Sequence, residues 1–172
     1  QTVLAARGPE VALVTVMWAN NEVGTIQPVE QAISVANAQQ VPVHVDAVQA
    51  FGAIPVDFRH SGAATMAVSG HKLGAPVGVG GLFVRRDVNL HAVSHGGGQE
   101  RNIRSGTMNV AGAAAFAAAA AEAVAGLPST TPRLVSLRNR LIAGIRAEVP
   151  QARLSGPEDT DGTLRLPNNV HF

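Results

Sequence analysis

The run at residues 11–19, VALVTVMWA, is continuous, apolar and rich in β-branched residues, and it ends abruptly in Asn20-Asn21-Glu22. Branching at Cβ suits a pleated sheet better than a helix. An apolar run without polar alternation predicts a strand buried on both faces, the condition of a parallel sheet. The pattern recurs. Residues 41–45 are apolar but for His44 and lead into Asp46-Ala-Val-Gln49, and residues 64–68 (ATMAV) lead into Ser69-Gly70-His71-Lys72. A fourth short strand is expected at 81–84, after a glycine-rich bend at 74–80. Residues 28–39 read as a helix with Val29, Ala32, Ile33 and Ala36 on one face. Strands separated by helices predict a mostly parallel α/β sheet, whose ligand sites lie at the carboxyl ends of the strands. Three of those ends are polar.

The second half is expected to be helical. An alanine-rich helix is expected over about 109–125. A second is expected to open at Thr131, with Pro132 favourable at its first position. It runs to about 148 on a stripe of Leu134, Leu137, Leu141 and Ile145, and Pro150 closes it. The stretches RLSG and NNVHF beyond it read as first strands of another domain. The expected division is residues 1–130 as part of a large domain, and 131–172 as a linking helix and the beginning of a small one. Gln1 and the apolar run ending at Phe172 suggest a piece of something longer.

Composition narrows the function. With 46% apolar and 15% charged residues and a formal net charge of +1, the chain is a folding sequence without a basic stripe for nucleic acid. The apolar tract at 110–121 is about a dozen residues against the roughly 20 that a bilayer span needs, so a soluble helix is expected and no membrane partner. No secretory leader is apparent. The absence of cysteine excludes a disulfide or thiolate metal site within these residues and fits a cytoplasmic location. The six histidines show no metal-binding spacing, so no metal is expected. Twelve arginines accompany a single lysine, Lys72. A guanidinium stays protonated and cannot act as a nucleophilic amine, which is reason to look for amine chemistry at that lysine.

Asp46 and Lys72 lie 26 residues apart, the reach of one crossover between neighbouring strand ends. That pair suits pyridoxal 5'-phosphate, which needs an amine for its aldehyde and a carboxylate against its pyridine nitrogen. The carboxylate favours the protonated ring, and each pKa unit so gained is worth about 1.4 kcal/mol. Blander readings exist for each residue. Lys72 can be a surface charge, and Asp46 with Gln49 can form a capping box. The glycines of 74–81 resemble a phosphate loop but no GK[ST] follows.

Four blocks in order decide among these readings. ANNEVGTIQP, VHVDAVQAFG, SGHKLGAPVGVGGLFVRR and HGGGQERNIRSGT resemble the pyridoxal-phosphate-dependent cysteine desulfurases, within the class V aminotransferase family. The resemblance is strong over about 11–125 and looser through LPNNVHF. It implies a type I pyridoxal-phosphate large domain followed by the start of a small α/β domain. By the same resemblance Lys72 carries the cofactor as a Schiff base and is the catalytic residue. Asp46 pairs with the pyridinium nitrogen, and Gln49 bonds the phenolic oxygen. Asn21 sits near that oxygen and the substrate carboxylate, and Ser69 and His71 hold the phosphate. Thr107 reaches the phosphate of the other subunit of a homodimer. The implied activity removes sulfur from L-cysteine, leaving L-alanine and an enzyme persulfide passed to a sulfur-acceptor protein for iron–sulfur clusters or tRNA thiolation. Selenocysteine lyase and transamination share these motifs. The family's catalytic cysteine and substrate-binding arginine match nothing in this sequence, so the stretch alone is expected to be inactive, or to serve as a truncated scaffold.

Overall fold

A computed structural model describes residues 2–172. After a short helix α1 (Thr2–Arg7), the chain forms β1 (Val14–Met17), α2 (Val29–Asn37), β2 (Val43–Asp46), α3 (Phe58–Ser61), β3 (Thr65–Ser69), β4 (Gly80–Val84) and α4 (Val110–Glu148). The four strands lie in sequence order in one sheet. β1, β2 and β3 are parallel, and β4 returns antiparallel to β3 across the glycine-rich bend. Gly70 N–H donates to the Val79 carbonyl at 2.9 Å, which closes that bend.

Side-chain rows across the sheet follow from the register. Val16, Val45, Met66 and Phe83 share one row, and Met17, Asp46, Ala67 and Leu82 share the next, on the opposite face. The first face carries the core. Val43, Val45, Met66 and Val68 are buried together with Val29, Ile33 and Ala36 of α2, which places three of the four expected helix positions against the sheet and leaves Ala32 half-buried. The second face is more open, with Met17 and Leu82 exposed. This corrects the expectation for residues 11–19. β1 is an edge strand that alternates half-buried and exposed positions, because no element among the described residues covers its outer face.

The two helices expected in the second half are one. α4 runs 39 residues from an Asn109 cap, whose Oδ1 accepts from Gly112 N–H at 2.9 Å, and passes through Pro128 and Pro132 without ending. Each proline removes one intrahelical hydrogen bond, at about 3 kcal/mol in a helix interior. Contacts to the rest of the fold hold the helix across them. Phe116 packs on the core beside Gly81, Ala123 approaches Gly52, and Thr131 Oγ1 donates to the Ala53 carbonyl at 3.5 Å. The helix is long and apolar enough to cross a membrane by length and composition alone. The expected leucine stripe is only half realised, with Leu134 and Ile145 half-buried. Leu137 and Leu141 face solvent, and the buried positions of this half are Arg138 and Ile142. A polar anchor, invisible to a search for apolar periodicity, sets the rotation of the helix. No strand forms beyond α4. RLSG and NNVHF lie side by side through Ser155 N–H to the His171 carbonyl at 2.8 Å, and residue 165 makes a single antiparallel bridge to Thr25.

That polar anchor joins α4 to the segment that follows it. Arg138 is 3% exposed and donates to the Asp159 carboxylate and to the carbonyls of Asp159, Arg165 and Leu166. Asp159 also accepts the backbone N–H groups of Gly162 and Arg165. Burial pushes the Asp159 carboxyl up, but hydrogen bonds from Asp161 and from the Arg165 and Gly162 amides outweigh it and hold the pKa at about 2. Arg165 is wholly buried; burial and the Arg138 charge push its guanidinium down, while Asp159 and Glu158 oppose this.

Two measurements test this packing. Ile33→Ala should cost about 2–5 kcal/mol in urea unfolding, while Leu141→Ala should stay within about 0.5 kcal/mol; equal losses would refute the assigned faces. Asp159 titrates below its ordinary value of 3.8, so its contribution is whole above that pH and is lost as pH falls through about 2. The loss is about 2 kcal/mol. Asp159→Asn should flatten that acid limb, and an unchanged limb would place its source elsewhere.

Candidate active site

The ends of β1, β2 and β3 are locked in step by backbone bonds. Trp18 N–H donates to the Asp46 carbonyl at 2.8 Å, and Ala47 N–H donates to the Ala67 carbonyl at 3.0 Å. The polar clusters that follow the three strands therefore share one edge of the sheet, on neighbouring strands.

Asp46 is the last residue of β2 and is half-buried. Its Oδ1 accepts Val48 N–H at 2.9 Å, which shapes the turn that carries Gln49, while Oδ2 has no protein partner among the described residues. The capping-box alternative is thus realised only as a tight turn, and one carboxylate oxygen remains available. Gln49 is half-buried on that turn. Beside Asp46 on the same face, His44 Nδ1 lies 2.7 Å from Thr65 Oγ1, a cross-strand bond that braces β2 against β3.

At the end of β3, Ser69 leads into the single 3-10 turn Gly70–Lys72. Ser69 Oγ lies 2.6 Å from His71 Nδ1, so hydroxyl and imidazole are paired at the mouth of the strand. Lys72 is exposed and makes no ion pair with the described residues. An unpaired amine one strand away from a carboxylate with a free oxygen fits the two ends of a pyridoxal ring, and the Ser69–His71 pair supplies hydrogen-bond donors suited to a phosphate. Three or more His, Asp or Glu side chains do not converge as metal ligands among the described residues.

After β1 the chain makes a turn in which Asn20 and Asn21 divide the work. Asn20 Oδ1 accepts the N–H groups of Glu22 and Val23, both at 2.9 Å, and Gly24 N–H returns to the Asn20 carbonyl at 3.1 Å. Asn21 is exposed, with its carboxamide unpaired among the described residues. Asn20, named in the sequence only as part of the polar cluster, is thus the residue that shapes the turn, a common use of Asn side chains. Thr107 is not hydrogen-bonded to this group. It lies in an exposed loop between the Ser94–Arg104 bridge and the Asn109 cap.

Known proteins resemble this chain in sequence and in fold. The sequence profile of the family described as Aminotransferase class-V matches residues 1–166. An IscS-like cysteine desulfurase of Mycobacterium tuberculosis (strain ATCC 25618 / H37Rv) is 52% identical over 163 residues, 95% of this chain and 41% of that protein. The cysteine desulfurase NifS of Azotobacter vinelandii is 41% identical over 163 residues, again 95% of this chain but 40% of that protein. The solved structure of a NifS-like protein superimposes with a TM-score of 0.87 at 38% identity, covering 94% of this chain and 43% of that one. The chain thus spans about two fifths of the length of the curated relatives it matches. With the profile covering nearly every residue and the mixed α/β sheet superimposing on a family structure, the chain belongs to the class V aminotransferase family.

Proposed function

We propose that this chain is the cofactor-attaching part of a pyridoxal-phosphate-dependent cysteine desulfurase. The observation that carries the reading is the placement of Asp46 and Lys72 at the carboxyl ends of adjacent parallel strands, the aspartate with one oxygen unclaimed and the lysine unpaired. Pyridoxal 5'-phosphate, when bound, supplies an electron sink for a carbanion at the substrate Cα. The residues of this chain do the rest. Lys72 would offer the amine that holds the cofactor, and the same amine would move the Cα proton. Asp46 Oδ2 accepts the ring N–H and keeps it protonated. Ser69 and His71 would donate to the phosphate, Gln49 would bond the phenolic oxygen, and Asn21 would sit near that oxygen and the substrate carboxylate.

L-Cysteine is the substrate supported by the named relatives, with selenocysteine the nearest variant. The chain holds no cysteine, so the thiol that receives the sulfur belongs to residues outside these 172. Thr107, exposed and without a hydrogen bond to the strand-end residues, is assigned to the phosphate of a second subunit in a homodimer. A cytoplasmic setting and a separate sulfur-acceptor protein complete the reading. The linking half of α4 and the residues after it, 131–172, are assigned to the start of the small domain.

Lys72 is the only side-chain primary amine, which makes the test direct. Incubation with pyridoxal phosphate should give an absorbance band and, after borohydride, a stable pyridoxyl group on Lys72. Lys72→Arg should abolish both, and Asp46→Asn should weaken binding; label lost on neither substitution would sink the assignment. Residues 1–172 alone should convert no cysteine to alanine, and sustained alanine production would refute the assignment of the sulfur-accepting thiol to an outside segment.

A further inference from the structure

Asn21 belongs to a turn whose backbone is fastened by a segment from the far end of the chain. Three consecutive carbonyls are taken up. The Glu22 carbonyl accepts Asn169 Nδ2 at 2.7 Å, the Val23 carbonyl accepts Arg165 Nη1 at 2.9 Å, and the Gly24 carbonyl accepts Leu166 N–H at 2.8 Å. Ile26 N–H then donates to the Leu164 carbonyl at 2.8 Å. Arg165 and Asn169 also hold one another, through Nη1 to Oδ1 at 3.1 Å. The approach is close. Gly24 has φ of +71°, and a Cβ built there would lie 2.5 Å from the Asn169 side chain.

We propose that Arg165 and Asn169 are positioning residues for Asn21, fixing the backbone that aims its carboxamide at the cofactor edge of the sheet. The inference rests on the reading of that edge as a pyridoxal-phosphate site. A clasp serving only to anchor the C-terminal segment could engage any surface of the sheet domain. This one grips each carbonyl from Glu22 to Gly24 and leaves the Asn21 side chain free. Asn20 secures the same turn from within, so Asn21 sits between two sets of restraints. Such fixing removes the ordering cost that a ligand would otherwise meet when it engages a mobile loop residue.

Two readouts test this, one independent of the cofactor. In the unliganded chain, Asn169→Ala should lower the Asn21 backbone NMR order parameter from a rigid value of about 0.85 to below about 0.6. On titration with pyridoxal phosphate, the same variant should bind about 5- to 30-fold more weakly. It should shift the pH midpoint of the bound chromophore in the same direction as Asn21→Ala, and the double variant should go no further than Asn21→Ala alone. Asn169→Asp, which keeps the oxygen facing Arg165 and loses the Nδ2 donor, gives the same readouts if the alanine variant does not fold. An unchanged order parameter, a silent Asn21→Ala, or additive effects would overturn the proposal while Lys72 labelling stands. Absence of Lys72 labelling in the unsubstituted chain would reject the cofactor reading, and this inference with it.

Discussion

A guanidinium removed from water has to place its N–H groups on acceptors, because a buried unpaired charge costs several kcal/mol. Arg165 does so by drawing in the Val23 carbonyl, the Ser155 and Pro157 carbonyls and Asn169 Oδ1. These acceptors come from three separate stretches of chain. Arg138 repeats the arrangement from α4, gathering Asp159 and the carbonyls of residues 159, 165 and 166. The buried Asp159 carboxylate joins the two, pairing with the Arg138 guanidinium and accepting the Arg165 backbone N–H. Gly156, with φ of +80° and the Val23 carbonyl 2.8 Å from where a Cβ would stand, leaves the room this needs. No buried side-chain N or O among the described residues lacks a partner. The long helix, the C-terminal segment and the turn after β1 are therefore one polar unit.

The sheet answers a different requirement. A parallel pair aligns strand ends, so polar residues that follow β1, β2 and β3 gather at one edge whatever the helices between them do. Asp46 and Lys72 are neighbours because β2 and β3 are neighbours, and the Ser69–His71 contact needs only the turn between them. The opposite rows of the same strands fill the core with Val43, Val45 and Met66. One set of φ/ψ angles thus serves both cohesion and chemistry.

These local relations are the part that is legible in sequence. The short apolar runs mark β1 to β4, the apolar spacing marks α2, and the strand-end residues can be read as a group before any coordinates. What is not legible depends on partners far away in the chain. Prolines at 128 and 132 suggest a break, but tertiary contacts from Phe116 to Arg138 carry the helix through them. The run at 11–19 looks buried on both faces, yet its depth in a sheet depends on what lies beyond it. Arg165, between two leucines in LRLPNN, looks like a surface charge in a polar loop. Only its folded setting reveals it as the largest fully buried side chain among the described residues. Thr107 gives no local sign of belonging to the strand-end group, and in the fold it makes no hydrogen bond to it.

The reach of the clasp also has a temporal side. Arg165 and Val23 are separated by 142 residues, and Asn169 and Glu22 by 147. Contacts of such span are late events in folding, since the intervening loop must close first. A ribosome adding about 5–20 residues per second releases β1 and β2 well before the segment that fastens the Asn20–Gly24 turn. The sheet edge is then assembled in two stages, with Asp46 and Lys72 set by local crossovers and Asn21 the last to be immobilised. Synthesis order thereby keeps the edge loosely formed until nearly all of these residues have emerged.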